Sequence, residues 1–183
     1  MASSLPQPHS EIEMENQISP PATSVGASSS SSTFDVFLNH RGEVKKTFAS
    51  HLYRGLLSRG LRPFLDQEVL KEGLNFPSQL KAAIRSASVH IAIFSPNYVE
   101  SQWCLDELLL MQESGAPIIP IFYHVNPAEV RWTDQTKNGV YAQALNQLQM
   151  KSRYDTATIQ KWRDALSSVA NISGFDLDAK FNG

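Results

Sequence analysis

Trp103 and Glu107 stand four residues apart in the run Trp103-Cys104-Leu105-Asp106-Glu107-Leu108. At 3.6 residues per turn they share one face of a helix, flanked by Cys104 and Met111. Leu105, Leu108 and Leu109 then turn toward a core and Asp106 toward solvent. An acid beside an indole is partly desolvated, which raises its pKa, while the nearby helix N-terminus acts in the opposite direction. Spacing alone makes Glu107 part of a solvated face and Trp103 a packing residue. A second group is Arg41-Gly42, directly after an apolar run. A guanidinium there can hold a phosphate or carboxylate bidentately, and a glycine lets backbone come close to a ligand. A plain exposed charge is the alternative. Cys104 reads as a buried, inert thiol.

Several other chemistries are excluded by their missing motifs. There is no G-x-G-x-x-G after the first apolar run, no G-x-x-x-x-G-K-[ST] and no G-x-S-x-G, which argues against a dinucleotide fold, a P-loop and a nucleophile elbow. A phospho-accepting receiver needs an acid after its third strand, where this chain has Phe94-Ser95-Pro96. The five histidines (His9, His40, His51, His90, His124) have no ligand spacing and Cys104 has no second cysteine, so no metal, cofactor or disulfide is suggested. No window approaches about 18 consecutive apolar residues, so no membrane span is expected. A net charge of −2 removes the bulk electrostatic case for nucleic acid.

The candidate residues need a scaffold, and the apolar pattern supplies one. Residues 1–33 hold ten serines, four prolines and three glutamates with no Lys or Arg, the composition of a disordered leader and not of a secretory or transit signal. From Phe34 strands and helices alternate. Strands are expected at 34–38, 61–65, 89–94 and 117–123, the last nearer a sheet edge because of Pro117 and Pro120. Helices are expected at 45–59 (closed by Gly60), from Pro77 to about 86, at 101–113, and near 138–150 and 157–171. Residues 39–43, 66–75 and 124–133 read as loops, and one further short strand cannot be placed. The alternation predicts an α/β fold: a flavodoxin-like, doubly wound, five-stranded parallel sheet of order 2-1-3-4-5 with helices on both faces. Ligands of such sheets bind at the carboxyl ends of the strands, where the loops carrying Arg41, Lys71 and the 95–108 segment converge.

Those blocks together resemble the plant-type Toll/interleukin-1 receptor (TIR) domain. Phe34-Asp35-Val36-Phe37-Leu38 with Arg41-Gly42-Glu43 is similar to the family's opening strand and loop, and Ser50-His51-Leu52-Tyr53 to its first helix. Phe64-x-Asp66 with Leu70-x-x-Gly73 is similar to its long second loop. Trp103-Cys104-Leu105-Asp106-Glu107-Leu108 resembles its third helix. Pro120-Ile121-Phe122-Tyr123-x-Val125-x-Pro127 with Val130-Arg131 resembles its fourth strand and next loop, and Trp162 with Ala165-Leu166 its last helix. The resemblance covers about 34–175 and divides the chain into a leader (1–33), a TIR domain (34–176) and a tail (177–183). It implies a TIR-only protein, without nucleotide-binding or leucine-rich-repeat parts. Asn39-His40 stands where the family usually has Ser-Phe, and Val44 and Lys46 where Asp and Arg are common. These departures sit beside the expected cleft and bear on substrate affinity more than on fold.

The resemblance implies an enzyme that cleaves NAD, or NADP, at the nicotinamide–ribose bond. The products would be nicotinamide and ADP-ribose or a cyclised or variant ADP-ribose signal in plant innate immunity. It makes Glu107 the catalytic group and Arg41, Gly42, Trp103 and Lys71 substrate-binding residues, Lys71 within reach of a pyrophosphate unless it is simply solvated. It also implies self-association through TIR–TIR contacts, with itself or other TIR proteins, at Ser50, His51 and Gly139. By periodicity Ser50 and His51 are merely exposed positions opposite Leu52 and Leu56. The alternative function is a non-catalytic adaptor acting through the same contacts. A role of Cys104 toward nucleic acid is a minor reading, and the location expected is cytoplasmic, with the nucleus second.

Overall fold

The computed structural model describes residues 34–65, 78–133, 139–151 and 154–177. Five strands form one parallel sheet: β1 (Val36–His40), β2 (Pro63–Leu65), β3 (Val89–Phe94), β4 (Ile118–Tyr123) and β5 (Phe175–Leu177), in the order β2-β1-β3-β4-β5. The expected order is the observed one, and β5 is the short strand that the apolar pattern leaves unplaced. Among the described residues six α-helices join them: α1 (Ser50–Leu57), α2 (Ser78–Ser86), α3 (Gln102–Ser114), α4 (Pro127–Arg131), α5 (Val140–Met150) and α6 (Thr156–Ala170).

Alternation along the strands builds two cores. Val36, Leu38, Ile91, Ile93 and Ile121 face one way, where Phe48, Leu52, Tyr53 and Leu56 from α1 and its approach cover them. Phe37, Ala92, Phe94 and Phe122 face the other way, under α2, α3, α5 and α6, with Tyr98, Leu105, Leu108, Tyr141 and Trp162 filling the layer. Period-two geometry then puts Asn39 on the side of Phe37, beneath α3. β1 starts and ends later than the apolar run 34–38 indicates. Asn39 and His40 are therefore its last two residues and not loop residues, because both pair in register with β3, Asn39 with Ala92 and His40 with Ile93.

Other expectations need correction. The helix expected at 45–59 is broken. A 3-10 turn at Gly42–Val44 leads into a wide turn at Lys45–Ala49, where Thr47 has φ −110° and ψ −105°. The Ser50 hydroxyl donates to the Lys45 carbonyl and the His51 ring meets the Thr47 carbonyl, both of which also accept the Ser50 backbone N–H. Gly60 does close α1, with φ +81°. The expected loop 124–133 contains α4, started by Asn126, whose side chain accepts from Ala128 N–H at 2.8 Å, and by Pro127 in its first turn. β4 lies one strand in from the edge, since β5 pairs beyond it. That pairing depends on Gly174, where a Cβ would stand 2.2 Å from the Pro120 carbonyl oxygen. At the other end, the Arg62 guanidinium and backbone N–H grip Asp35 at 2.7–3.1 Å, tying the entries of β1 and β2 together.

Candidate functional site

The carboxyl ends of β1 and β3 lie side by side, and α3 crosses above them. Ser101 starts α3 by accepting the Cys104 N–H on its hydroxyl. One turn further in, Glu107 is 7% exposed, against the solvated position that helix spacing alone suggests. It reaches the sheet: the Asn39 Nδ2–H donates to Glu107 Oε2 at 2.7 Å. Asn39 is fully buried and also donates to the Cys104 carbonyl at 3.3 Å. The Tyr98 hydroxyl donates to Asn39 Oδ1 and lies 3.0 Å from the same Cys104 carbonyl. This set fixes the amide's orientation. A carboxylate and a carbonyl are acceptors only, so the nitrogen must face them, and a hydroxyl donor suits the oxygen.

Burial dominates the electrostatics around the carboxylate. The Cys104 thiol is pushed up to about 12, first by burial and then by the charge of Glu107. Its sulfur contacts the His40 carbonyl at 3.3 Å. It is buried, as expected. Burial also raises Tyr98 and Tyr141 well above the ordinary phenol range, so both are neutral donors. Tyr141 donates to the Ser95 carbonyl at 2.8 Å, fixing the end of β3.

The rim comes from the segments that follow β1 and β3. Arg41 is half-buried; Gly42 and Glu43 are exposed. Glu43 accepts from the Asn97 side chain and, at 3.3 Å, from its backbone N–H, linking the two segments. Trp103 is half-buried, one turn before Glu107 on α3. Arg41 and Gly42 thus follow the end of β1, Trp103 and Glu107 stand one turn apart on α3, and Lys71 lies outside the described residues. Ser50 is half-buried against its own backbone and His51 is exposed on α1. Gly139 is the buried residue preceding α5, its carbonyl accepting from Gln143 N–H. No group of three or more His, Cys, Asp or Glu able to hold a metal occurs among the described residues.

A second expectation on α3 is also wrong. Asp106 does not face open solvent. It is half-buried, accepting from Trp162 Nε1–H at 3.0 Å and Gln102 Nε2–H at 3.2 Å. Its pKa is raised by desolvation, with these two bonds opposing. The cause is α6, which packs on that side of α3 and which the helix's own periodicity could not reveal. Sequence reasoning also missed Asn39 as a partner of Glu107 and Tyr98 as the partner of Asn39. Phe37, two residues earlier on an alternating strand, was the available signal for Asn39.

Comparison with known proteins adds a third line. A family model described as "TIR domain" matches residues 33–182. The chain is 41% identical over 156 residues to the TMV resistance protein N of Nicotiana glutinosa, which covers 81% of this chain and 13% of that protein. It is 42% identical over 108 residues to the probable 2' cyclic ADP-D-ribose synthase BdTIR of Brachypodium distachyon, covering 58% of this chain and 48% of that one. Among solved structures, it matches the TIR domains of the activated Roq1 resistosome with a TM-score of 0.69 and 38% identity, over 82% of this chain and 92% of that one. The chain spans 11–13% of the length of three resistance proteins it matches.

Proposed function

The chain belongs to the TIR domain family, and from that footing we propose that it is an NAD-cleaving immune-signalling domain with Glu107 as its catalytic group. The bond between ribose C1′ and the nicotinamide nitrogen breaks, and both electrons leave with nicotinamide, which departs neutral and needs no general acid. The ribosyl centre becomes oxocarbenium-like, as in glycoside hydrolysis. A fixed carboxylate beside it stabilises that charge. Closure by water, which loses a proton, gives ADP-ribose; closure by a group of the same molecule gives a cyclic product. Arg41 suits a phosphate oxygen and Trp103 a flat wall of the nucleotide site.

The observation that carries this reading is the near-complete burial of Glu107 at the carboxyl edge of a parallel sheet, with a buried amide donor aimed at it. An acid whose only task is solubility does not occupy such a position. The printed name of the Brachypodium relative, a cyclic ADP-ribose synthase, supports the substrate. The resistosome that contains the Roq1 TIR domains supports activity on self-association. His51, exposed on α1, is the contact we assign to that association, and the cytoplasm or nucleus is where the NAD would be drawn.

The test is nicotinamide release by the purified chain over a series of protein concentrations, beside Glu107→Ala and His51→Glu. The expected results are a rise steeper than linear for the wild type, a loss of at least about a hundred-fold for Glu107→Ala, and a shift of His51→Glu to higher concentration. Turnover at the wild-type rate by a folded Glu107→Ala protein would remove Glu107 from the chemistry. Silence of the wild type as well as of Glu107→Ala, with the wild type still self-associating, would leave the adaptor reading.

A further inference from the structure

Asn39 uses both of its N–H donors and accepts one bond on its oxygen within one cluster. Its two N–H groups go to Glu107 Oε2 and the Cys104 carbonyl, and its oxygen takes the Tyr98 hydroxyl. It is completely enclosed, so the amide can neither rotate to solvent nor flip without setting its oxygen against two acceptors. Tyr98 is equally enclosed and fixed at the turn after β3. A donor held this rigidly does two things to a carboxylate: it selects one rotamer and favours the charged form. Resting on the NAD-cleaving reading above, we propose that Asn39, anchored by Tyr98, is a positioning residue that holds Glu107 ionised and aimed at the reacting ribose.

The other ionisable or charged groups around the cluster are Tyr98 after β3, Cys104 on α3, Tyr141 on α5, and Arg41 and Glu43 after β1. Tyr98, Cys104 and Tyr141 are all raised by burial and stay protonated.

The first readout needs no turnover. In the isotope-labelled full chain, without NAD, the Asn39 side-chain amide resonance is followed from pH 3 to 8. It should move with the Glu107 carboxyl carbon and lose that dependence in Glu107→Gln. The second readout is steady-state kinetics. Asn39→Asp replaces the donor by a like charge of the same shape and should lower kcat by about ten- to one-hundred-fold. KM should stay within about two-fold, and the acid limb of the kcat profile should move to higher pH. Tyr98→Phe should fall between this variant and the wild type. An amide indifferent to Glu107 in an active wild type, or variants that change KM and leave kcat alone, would overturn the role of Asn39. An amide that follows Glu107 in a chain that leaves NAD intact would instead overturn the enzymatic reading, and the positioning role with it.

Discussion

His90 shows what the cluster around Glu107 is not. It is fully buried in β3, edge-on to Phe37, with Nε2–H donating to the Ile84 carbonyl at 2.9 Å. Burial lowers its pKa from 6.5, with the Ile84 bond opposing. A base whose folded pKa is depressed favours unfolding as pH falls, because below about 6.5 the unfolded chain takes up a proton that the folded one refuses. The wild type should therefore lose more stability between pH 7 and pH 5 than His90→Phe does, read as the shift of the urea midpoint. His90 is a core histidine with a structural partner; Glu107 is a buried acid whose described partner is an amide aimed across the cleft. The run from Trp103 to Leu108 made Glu107 visible as a candidate, but helix spacing assigned Asp106 and Glu107 to the wrong surroundings. Asp106 meets Trp162 and Glu107 meets Asn39. Both partners come from other elements, so one helix's periodicity could not display them.

At the scale of elements, the apolar runs located four strands and the flanking helices because each buries a continuous stripe. They failed where side chains or single backbone contacts decide. The run into α1 is broken at Thr47, where Ser50 and His51 side chains bond to backbone carbonyls that apolar spacing does not register. α4 is one short turn of chain held by an asparagine cap, and a five-residue helix is too brief to show a period. β5 is only Phe175-Asp176-Leu177, too short for an alternating pattern to stand out. Two glycines separate these effects by sign. Gly174→Ala must move the Pro120 backbone and should cost about 1–3 kcal/mol. Gly55→Ala lies inside α1, where the nearest obstacle to a Cβ is the flexible end of Arg59 at 3.9 Å. It should be neutral or gain up to about 1 kcal/mol. Chemical denaturation of both variants checks the pair, and equal destabilisation would contradict it.

For the whole molecule, alternation of strand and helix was enough to give the order 2-1-3-4-5, since parallel pairing and short connections leave few choices. The same alternation located the cleft edge by topology. It could not say which side chains close the floor of the cleft, because that depends on β1 running two residues past its apolar stretch. The order has one more consequence, for the way the protein comes apart. β2 and β5 are three residues long and stand at the two margins, and β5 is exposed throughout. Margins of this kind open and reclose at a fraction of the global unfolding free energy. β1 is paired on both sides over Val36–Leu38 and β3 over His90–Ile93, so this centre, with the fully buried Asn39 paired to β3 just beyond it, belongs to the last part of the sheet to exchange its amide hydrogens. The floor beneath Glu107 outlasts the fraying of the margins.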